Sequence, residues 1–239
     1  MFAGKVALVT GASSGIGRAT GIALWRSGAT VWMVARNVGK LEEVARGIGA
    51  SQRLRVQGVD LLRDEEIRAL GRAVAEEAGD LDILVHAAGV IAIGPVESAP
   101  VADFDLQWRT NVRAPYLLTQ VLLPQVVASR GQIVFVNSSA GRHAAGNVAQ
   151  YAATKHALKA VADSLREEVN PLGLRVLSVY AGRTATPMQA SLHRLEGRNY
   201  AGERLLQPED VAEAVLGSLA LARTAEVTDL HIRSLLKPL

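Results

Sequence analysis

Val6-Ala7-Leu8-Val9-Thr10-Gly11-Ala12-Ser13-Ser14-Gly15-Ile16-Gly17 carries a strand, a glycine loop and the opening of a helix in one unbroken run. Val6 to Thr10 is the β-branched and aliphatic stretch of a strand buried on both faces, as the strands of a parallel sheet are. It runs directly into glycines at 11, 15 and 17. Such a junction suits a phosphate. The first N–H groups of a helix have no intrahelical partner, the helix dipole favours negative charge there, and glycine lets a pyrophosphate approach the backbone. The spacing is G-x-x-x-G-x-G rather than G-x-G-x-x-G, so by itself the loop reads equally well as a turn without a ligand.

Outward from this run, Ile16 to Ser27 reads as a helix stopped by Gly28, and Thr30 to Val34 as a strand ending in Ala35-Arg36-Asn37. In a dinucleotide site a residue about 20 positions past the glycines meets the adenosine ribose: an acid bonds its hydroxyls, whereas an arginine accepts a 2′-phosphate. No acid occurs between Arg18 and Leu41, and Arg36 stands where that charge belongs, so the reading is NADP(H) over NAD(H). A helix over Lys40 to Ile48, a strand over Leu54 to Val59 ending in Asp60, a helix over Asp64 to Ala78 capped by Asp64, and a strand over Leu81 to Val85 follow. The last of these runs into His86-Ala87-Ala88-Gly89. Strands alternating with helices at this rhythm predict an α/β fold, a Rossmann-like doubly wound parallel sheet with helices on both faces. Ligands belong at the carboxyl ends of its strands, where Gly11, Arg36, Asp60 and Gly89 fall.

In the second half, a helix over Phe104 to Leu123 holds Asn111, with Pro115 four residues later. Proline cannot donate to the Asn111 carbonyl, which predicts a kink and a free carbonyl. A strand over Gln132 to Val136 ends in Asn137-Ser138-Ser139-Ala140-Gly141, a helix over Gln150 to Asn170 contains Tyr151 and Lys155, and a strand covers Leu174 to Val179. From Met188 to Leu206 the pattern loosens, as in a substrate lid or a surface excursion. Pro208 then starts a helix over Glu209 to Ala222, Val227 to Ile232 is a last strand, and Ser234 to Leu239 a short tail. With no repeat or linker, residues 1–239 read as one domain.

Hydrophobic residues make up 49% of the 239 positions but aromatics only 4%, which calls for an aliphatic, alanine-rich core. The absence of cysteine excludes disulfides, thiolate chemistry and cysteine zinc sites, and no metal site is expected. No long uncharged apolar run could span a membrane, and Met1 to Lys5 is too short for a signal peptide, so a cytoplasmic protein is expected. The net charge of +3 comes from arginines scattered among acids, a solvated surface rather than a nucleic-acid interface.

Tyr151 and Lys155, four apart on a helix, share one face. A tyrosine ionises near pH 10, but a neighbouring ammonium and a positively charged oxidised nicotinamide both favour the phenolate, which would match Tyr151 to proton exchange with an alcohol. The Ser138 hydroxyl, at the end of the preceding strand, could hold a substrate oxygen.

These residues together resemble the short-chain dehydrogenase/reductase family over essentially the whole chain. Thr10-Gly11-x-x-x-Gly15-Ile16-Gly17 is similar to its cofactor loop, Ser138, Tyr151 and Lys155 to its catalytic signature, and Asn111 falls where the family keeps an asparagine. The resemblance implies a nicotinamide cofactor and interconversion of a carbonyl and an alcohol. Tyr151 would be the acid/base, Ser138 would polarise the substrate oxygen, Lys155 would hold the nicotinamide ribose and lower the tyrosine pKa, and Asn111 would support a water leading protons toward Lys155. Cofactor contacts would come from Gly11, Ser13, Ser14, Gly15, Ile16, Gly17, Arg36, Asp60 at the adenine, Ala88, Gly89, Gly182, Thr184, and Thr186 at the carboxamide. Ser14 replaces a basic residue frequent in NADP users, leaving a 2′-phosphate to Arg36 with Ser13.

Two positions depart from the family pattern: His86-Ala87 stands for Asn-Asn, and Ala181 for the proline before Gly182. Ala87 removes an amide that anchors the sheet centre, a place a water could fill. His86 is read as a structural substitute. A substrate pocket drawn from Ile91, His143, Ala144, Tyr180 and Met188 to Tyr200 predicts a small or medium apolar carbonyl or alcohol. No arginine clamp for a carboxylate is evident beyond Arg142 and Arg183. The altered His86-Ala87 stretch motivates a rival, a non-catalytic NADP(H) sensor or interaction protein. Many members of the family assemble through the equivalents of the fourth and fifth helices, so a homodimer or homotetramer is expected.

Overall fold

Each strand places alternate side chains on opposite faces of one sheet, and both faces are covered. Ala7, Val9, Val31, Met33, Ile83, Val85, Val134, Leu177 and Val179 share one core with Leu24, Val211 and Val215. Leu8, Trp32, Val34, Leu84, Ile133, Phe135 and Val176 share the other with Ile67, Leu70, Leu118, Leu122 and Leu158. In the computed structural model, which describes residues 1–49 and 52–236, these residues form seven parallel strands in the order β3-β2-β1-β4-β5-β6-β7.

The elements are β1 (Val6–Thr10), α1 (Gly15–Arg26), β2 (Thr30–Ala35), α2 (Val38–Gly47), β3 (Leu54–Gly58), α3 (Asp64–Glu77) and β4 (Ile83–His86). After them come α4 (Val101–Trp108), α5 (Ala114–Ala128), β5 (Gln132–Ser138), α6 (Ala149–Val169), β6 (Arg175–Ala181), α7 (Pro187–Leu195), α8 (Pro208–Leu219) and β7 (Asp229–Ile232). This is the Rossmann-like arrangement expected. The chain reverses direction across the sheet between β1 and its two neighbours, β2 and β4, and the crevice at that switch point is where a ligand is received.

Several boundaries differ from the sequence reading for local reasons. β4 begins at Ile83, not Leu81, because the Asp82 side chain is taken by Lys5 Nζ (2.8 Å) and Val6 N–H (2.9 Å) at the bottom of the sheet. β5 continues through Ser138, whose backbone pairs with Ala181 of β6. Asp64 is not a cap: it opens α3, and Arg113 takes both its oxygens at 2.5 and 2.6 Å. The kink expected at Asn111 is a π-helical turn, Arg109–Arg113, joining α4 to α5. Ala114 N–H reaches back five residues to the Arg109 carbonyl, which widens the helix where Pro115 has no N–H to give. The tail from Ser234 lies partly outside the described residues.

Arg175, at the start of β6, donates to the carbonyls of Leu219, Leu221, Ala222 and Ala225 at 2.7–3.2 Å, a cation set on the carboxyl end of α8. Arg175→Met strands these carbonyls, and a loss of about 2–4 kcal/mol is expected in urea denaturation; unaltered stability would show that water replaces the guanidinium.

Candidate active site

Thr10 ends β1, and Gly11 turns the chain at φ +66°. A Cβ there would lie 2.8 Å from the Ala87 oxygen and the Ala88 nitrogen, so only glycine lets the loop pass the end of β4. Gly17, in the first turn of α1, packs on the Gly11 carbonyl, which a Cβ would approach to 2.6 Å. Ser14 precedes α1 in extended conformation without a side-chain capping bond, and the first turn holds no acid. The opening N–H groups of α1 thus lack a side-chain cap where the loop borders a cleft of about 1160 Å³. That cradle fits a pyrophosphate.

The cleft is lined by Gly11, Ser13, Ser14, Gly15, Ile16, Gly17, Arg36, Asp60, Ala88, Gly89, Ser138, Tyr151, Lys155, Gly182, Thr184 and Thr186, so the structure brings together the expected catalytic and cofactor-binding residues except Asn111. At one end Arg36 is exposed and makes no hydrogen bond or ion pair among the described residues. Lys40 lines the same end, a residue the sequence reading passed over. Asn37 caps α2 by accepting from Lys40 N–H at 3.0 Å, which starts the helix two residues earlier than expected and puts Lys40 in its first turn. A cation there opposes the helix dipole, and no acid in that turn offsets it. This mismatch was the available signal for an anion nearby. Asp60 sits on the rim, its Oδ1 accepting from Leu62 N–H at 3.1 Å.

At the other end Ser138 and Tyr151 line the cleft together, Ser138 pulling the phenol's pKa down, and Ser138 Oγ accepts from Ala140 N–H at 3.2 Å. Lys155 Nζ donates to the Val136 carbonyl at 3.1 Å and stands 5.7 Å from the Tyr151 ring centroid. Asn137, also missed, ties the two elements: its Nδ2 donates to the Lys155 carbonyl at 3.1 Å and its Oδ1 accepts from Ser138 N–H at 2.8 Å. Asn111 lies behind the cleft, buried, with Oδ1 accepting from Val90 N–H (2.8 Å) and Nδ2 donating to the Val90 carbonyl (2.9 Å) and Thr154 Oγ1 (3.1 Å). Burial pushes the Tyr151 phenol up to about 12, against the pull of Ser138, and pushes Lys155 down to about 8. The ammonium was expected to make the phenol more acidic; removal from water outweighs it, so the phenol keeps its proton.

A family model described as short chain dehydrogenase matches residues 5–197. The chain belongs to the short-chain dehydrogenase family of oxidoreductases. An uncharacterized oxidoreductase of Staphylococcus epidermidis is 31% identical over 230 residues, 96% of both chains. Among solved structures, a short chain dehydrogenase of Escherichia coli complexed with NADPH superimposes with a TM-score of 0.89 at 31% identity, covering 96% of this chain and 97% of that one. An alcohol dehydrogenase of Thermococcus sibiricus complexed with 5-hydroxy-NADP gives 0.88 at 26% identity over 98% of both. A 3-ketoacyl-(acyl-carrier-protein) reductase of Brucella melitensis complexed with NADH gives 0.87 at 29% identity over 97% and 98%.

For a short-chain dehydrogenase this chain is unusual at His86-Ala87, and the structure shows how the change is absorbed. His86 is buried, stacked on Phe135 with ring centroids 4.8 Å apart, and its Nε2 lies 2.9 Å from Thr119 Oγ1. Burial pushes its pKa down to about 3, so it is a neutral packing residue that does not line the cleft. Thr10 Oγ1 accepts from the N–H groups of both Ala87 (3.1 Å) and Ala88 (3.2 Å), the anchoring expected of a water.

The substrate half of the cleft is lined by Ile91, His143, Ala145, Val148, Met188, Gln189 and Leu192. Tyr180, expected there, is not: strand alternation turns Ala181 to the cleft and buries Tyr180 on the other face, stacked on His231 at 4.7 Å. Ala145 lines the cleft in place of Ala144. The loosely patterned segment is ordered into α7, with Thr186 Oγ1 accepting from Gln189 N–H at 3.2 Å as its cap, and a 3₁₀ turn at Gly202–Arg204. Both arginines weighed as carboxylate clamps are engaged. Arg183 donates to the two Glu196 oxygens at 2.8 and 2.6 Å, and Arg142 lies against His231 and the Tyr180 ring.

Proposed function

We propose that this short-chain dehydrogenase is an NADP(H)-dependent carbonyl reductase acting on small or medium, largely apolar substrates, with Tyr151 as the proton donor. The observation that carries the reading is one cleft walled at one end by an open glycine cradle with Arg36, unpaired among the described residues, beyond it, and at the other by Ser138, Tyr151 and Lys155. Gly11, Gly15 and Gly17 would receive the pyrophosphate, Arg36 and Lys40 a 2′-phosphate, Asp60 the adenine, and Lys155 the nicotinamide ribose. Reduced nicotinamide bound there supplies a hydride to the substrate carbon.

The chain's own part is to hold the carbonyl oxygen and protonate it. Ser138 Oγ and the Tyr151 hydroxyl, on residues that line the same cleft, form the donor pair for that oxygen. A phenol pushed up to about 12 is loaded with its proton at neutral pH, which suits reduction. Asn111 acts at one remove by fixing Val90 and Thr154. Ser138, Tyr151 and Lys155 lining one cleft with the glycine cradle favour this reading over a non-catalytic NADP(H) sensor or interaction protein. Residues 1–239 are read as one oxidoreductase domain with 188–206 as its lid. Val101, Trp108 and Tyr116, 71%, 45% and 50% exposed on α4 and α5, support a homodimer or homotetramer, which light scattering would test against a monomer.

The reading is tested by following NADPH absorbance over a panel of aldehydes and ketones. Lys155 adds a pH dependence. Its ordinary pKa of 10.5 is lowered to about 8, so the ammonium that would hold the ribose is present below pH 8 and lost above it. NADPH affinity, read by fluorescence titration, is expected to be flat from pH 6 to 7.5 and to weaken by up to roughly tenfold per unit above 8. The Lys155→Met variant is expected to show no such slope; an identical slope would place the titration elsewhere.

A further inference from the structure

Gln189 is a polar side chain, 8% exposed, sharing the substrate wall of the cleft with Met188, Leu192 and Ile91. One turn further along α7, His193 is buried behind it at 2% exposure. His193 Nδ1 lies 2.9 Å from the Gln189 backbone carbonyl oxygen and 3.0 Å from the Gln189 side-chain amide atom placed as Nε2. A carbonyl oxygen only accepts, so Nδ1 carries its proton. A nitrogen already donating cannot accept from an NH₂ group. Turning the amide over therefore sets its oxygen on the Nδ1 proton and leaves the NH₂ on the side away from His193, on a residue that lines the cleft. The His193 ring is braced edge-on by Tyr200 at 5.4 Å, and the Gln189 backbone is held by Thr186, so the donor has a fixed place.

A buried donor on a mainly apolar wall selects for an acceptor, because a ligand that displaces water without replacing the hydrogen bond leaves the group unpaired. The charge of that acceptor follows from its surroundings. Arg183 is bound at both fork positions by Glu196, and Glu196 itself lines the cleft as a carboxylate. Arg198 also approaches Glu196 at 3.8 Å, so these charges are spent on one another, and among the described residues lining the cleft's substrate half no arginine is left unpaired to receive a second carboxylate.

We propose that Gln189, oriented by His193, determines substrate specificity by donating to a second, uncharged acceptor on the substrate, so that diketones and keto esters are selected over plain ketones of equal length. The inference rests on the carbonyl-reductase reading above. His193 is a positioning residue for Gln189, not a participant in the chemistry.

The test compares kcat/KM for ethyl acetoacetate and a diketone with that for a plain methyl ketone of equal chain length. The wild type is expected to favour the former by about tenfold or more, the worth of one well-placed hydrogen bond. Gln189→Met, of similar volume and without a donor, is expected to reduce that ratio by about tenfold, chiefly through KM. Gln189→Glu, which presents an acceptor in the same shape, is expected to reduce it at least as far. His193→Asn keeps an N–H near the Nδ1 position and is expected to hold the ratio, whereas His193→Leu lowers it at a melting temperature matched to that of His193→Asn. Wild-type indifference between the two substrate classes, or an unchanged ratio in both Gln189 variants, overturns the inference while leaving carbonyl reduction standing. Failure of the wild type to oxidise NADPH with either class would bring down the carbonyl-reductase reading, and this inference with it.

Discussion

Tyr151→Phe is expected to lower carbonyl reduction by about a thousandfold, the upper part of the range for general acid catalysis, while NADPH binds within roughly threefold of wild type. The substitution is narrow. It keeps the ring beside Lys155 Nζ and the packing that buries it, and removes only the phenol oxygen. The loss should fall on kcat, because the phenol acts where negative charge develops on the substrate oxygen and not in holding the cofactor. Ser138→Ala should cost less, since Tyr151 remains to donate. Stopped-flow oxidation of NADPH with a saturating aldehyde separates the two outcomes. Wild-type rates in Tyr151→Phe would mean that water supplies the proton and that this wall of the cleft is only structural.

Arg36→Ala is expected to weaken NADPH by roughly thirtyfold, about 2 kcal/mol for a charge-assisted contact to phosphate, with NADH changed by less than about threefold. The contrast matters more than either number, because general damage to the adenosine end would weaken both. Arg36 is suited to this role because it is exposed on the cleft rim and bound to nothing else among the described residues. Lys40→Ala is expected to act in the same direction more weakly, since its charge also opposes the α2 dipole. Calorimetric titration with both cofactors reads the ratio. Equal losses for NADPH and NADH would remove the 2′-phosphate from this end of the cleft.

Glycines 11, 15 and 17 were legible in the sequence because they punctuate a run whose residues are apolar on both faces, a pattern few structures other than a parallel strand can bury. Tyr151 and Lys155 were legible because a spacing of four fixes their relation on any helix. What escaped depends on contacts between distant segments. Thr10 could not be seen to hold Ala87 and Ala88, which lie 77 and 78 positions away in the chain. Tyr180 was assigned to the pocket because β6 was ended at Val179; two more residues of pairing with β5 fix the alternation that turns it away. Asn137 acts through partners on other elements, and Gln189, inside the Met188 to Tyr200 segment expected to line the pocket, is held from behind the wall, so neither carries a motif. The Tyr151 phenol is expected to be made acidic by the ammonium and an oxidised nicotinamide together, whereas in the protein alone burial outweighs the other influences on it.

The central claim is transfer of hydride to a carbonyl in this cleft, and the most direct measurement is isotopic. Wild-type protein is incubated with NADPH carrying deuterium at the transferable position, together with a ketone it consumes, and the alcohol is examined by mass spectrometry and NMR. Deuterium on the carbinol carbon and a solvent-derived proton on its oxygen are expected. NADPH that binds with no alcohol formed, or an alcohol free of label, would contradict it.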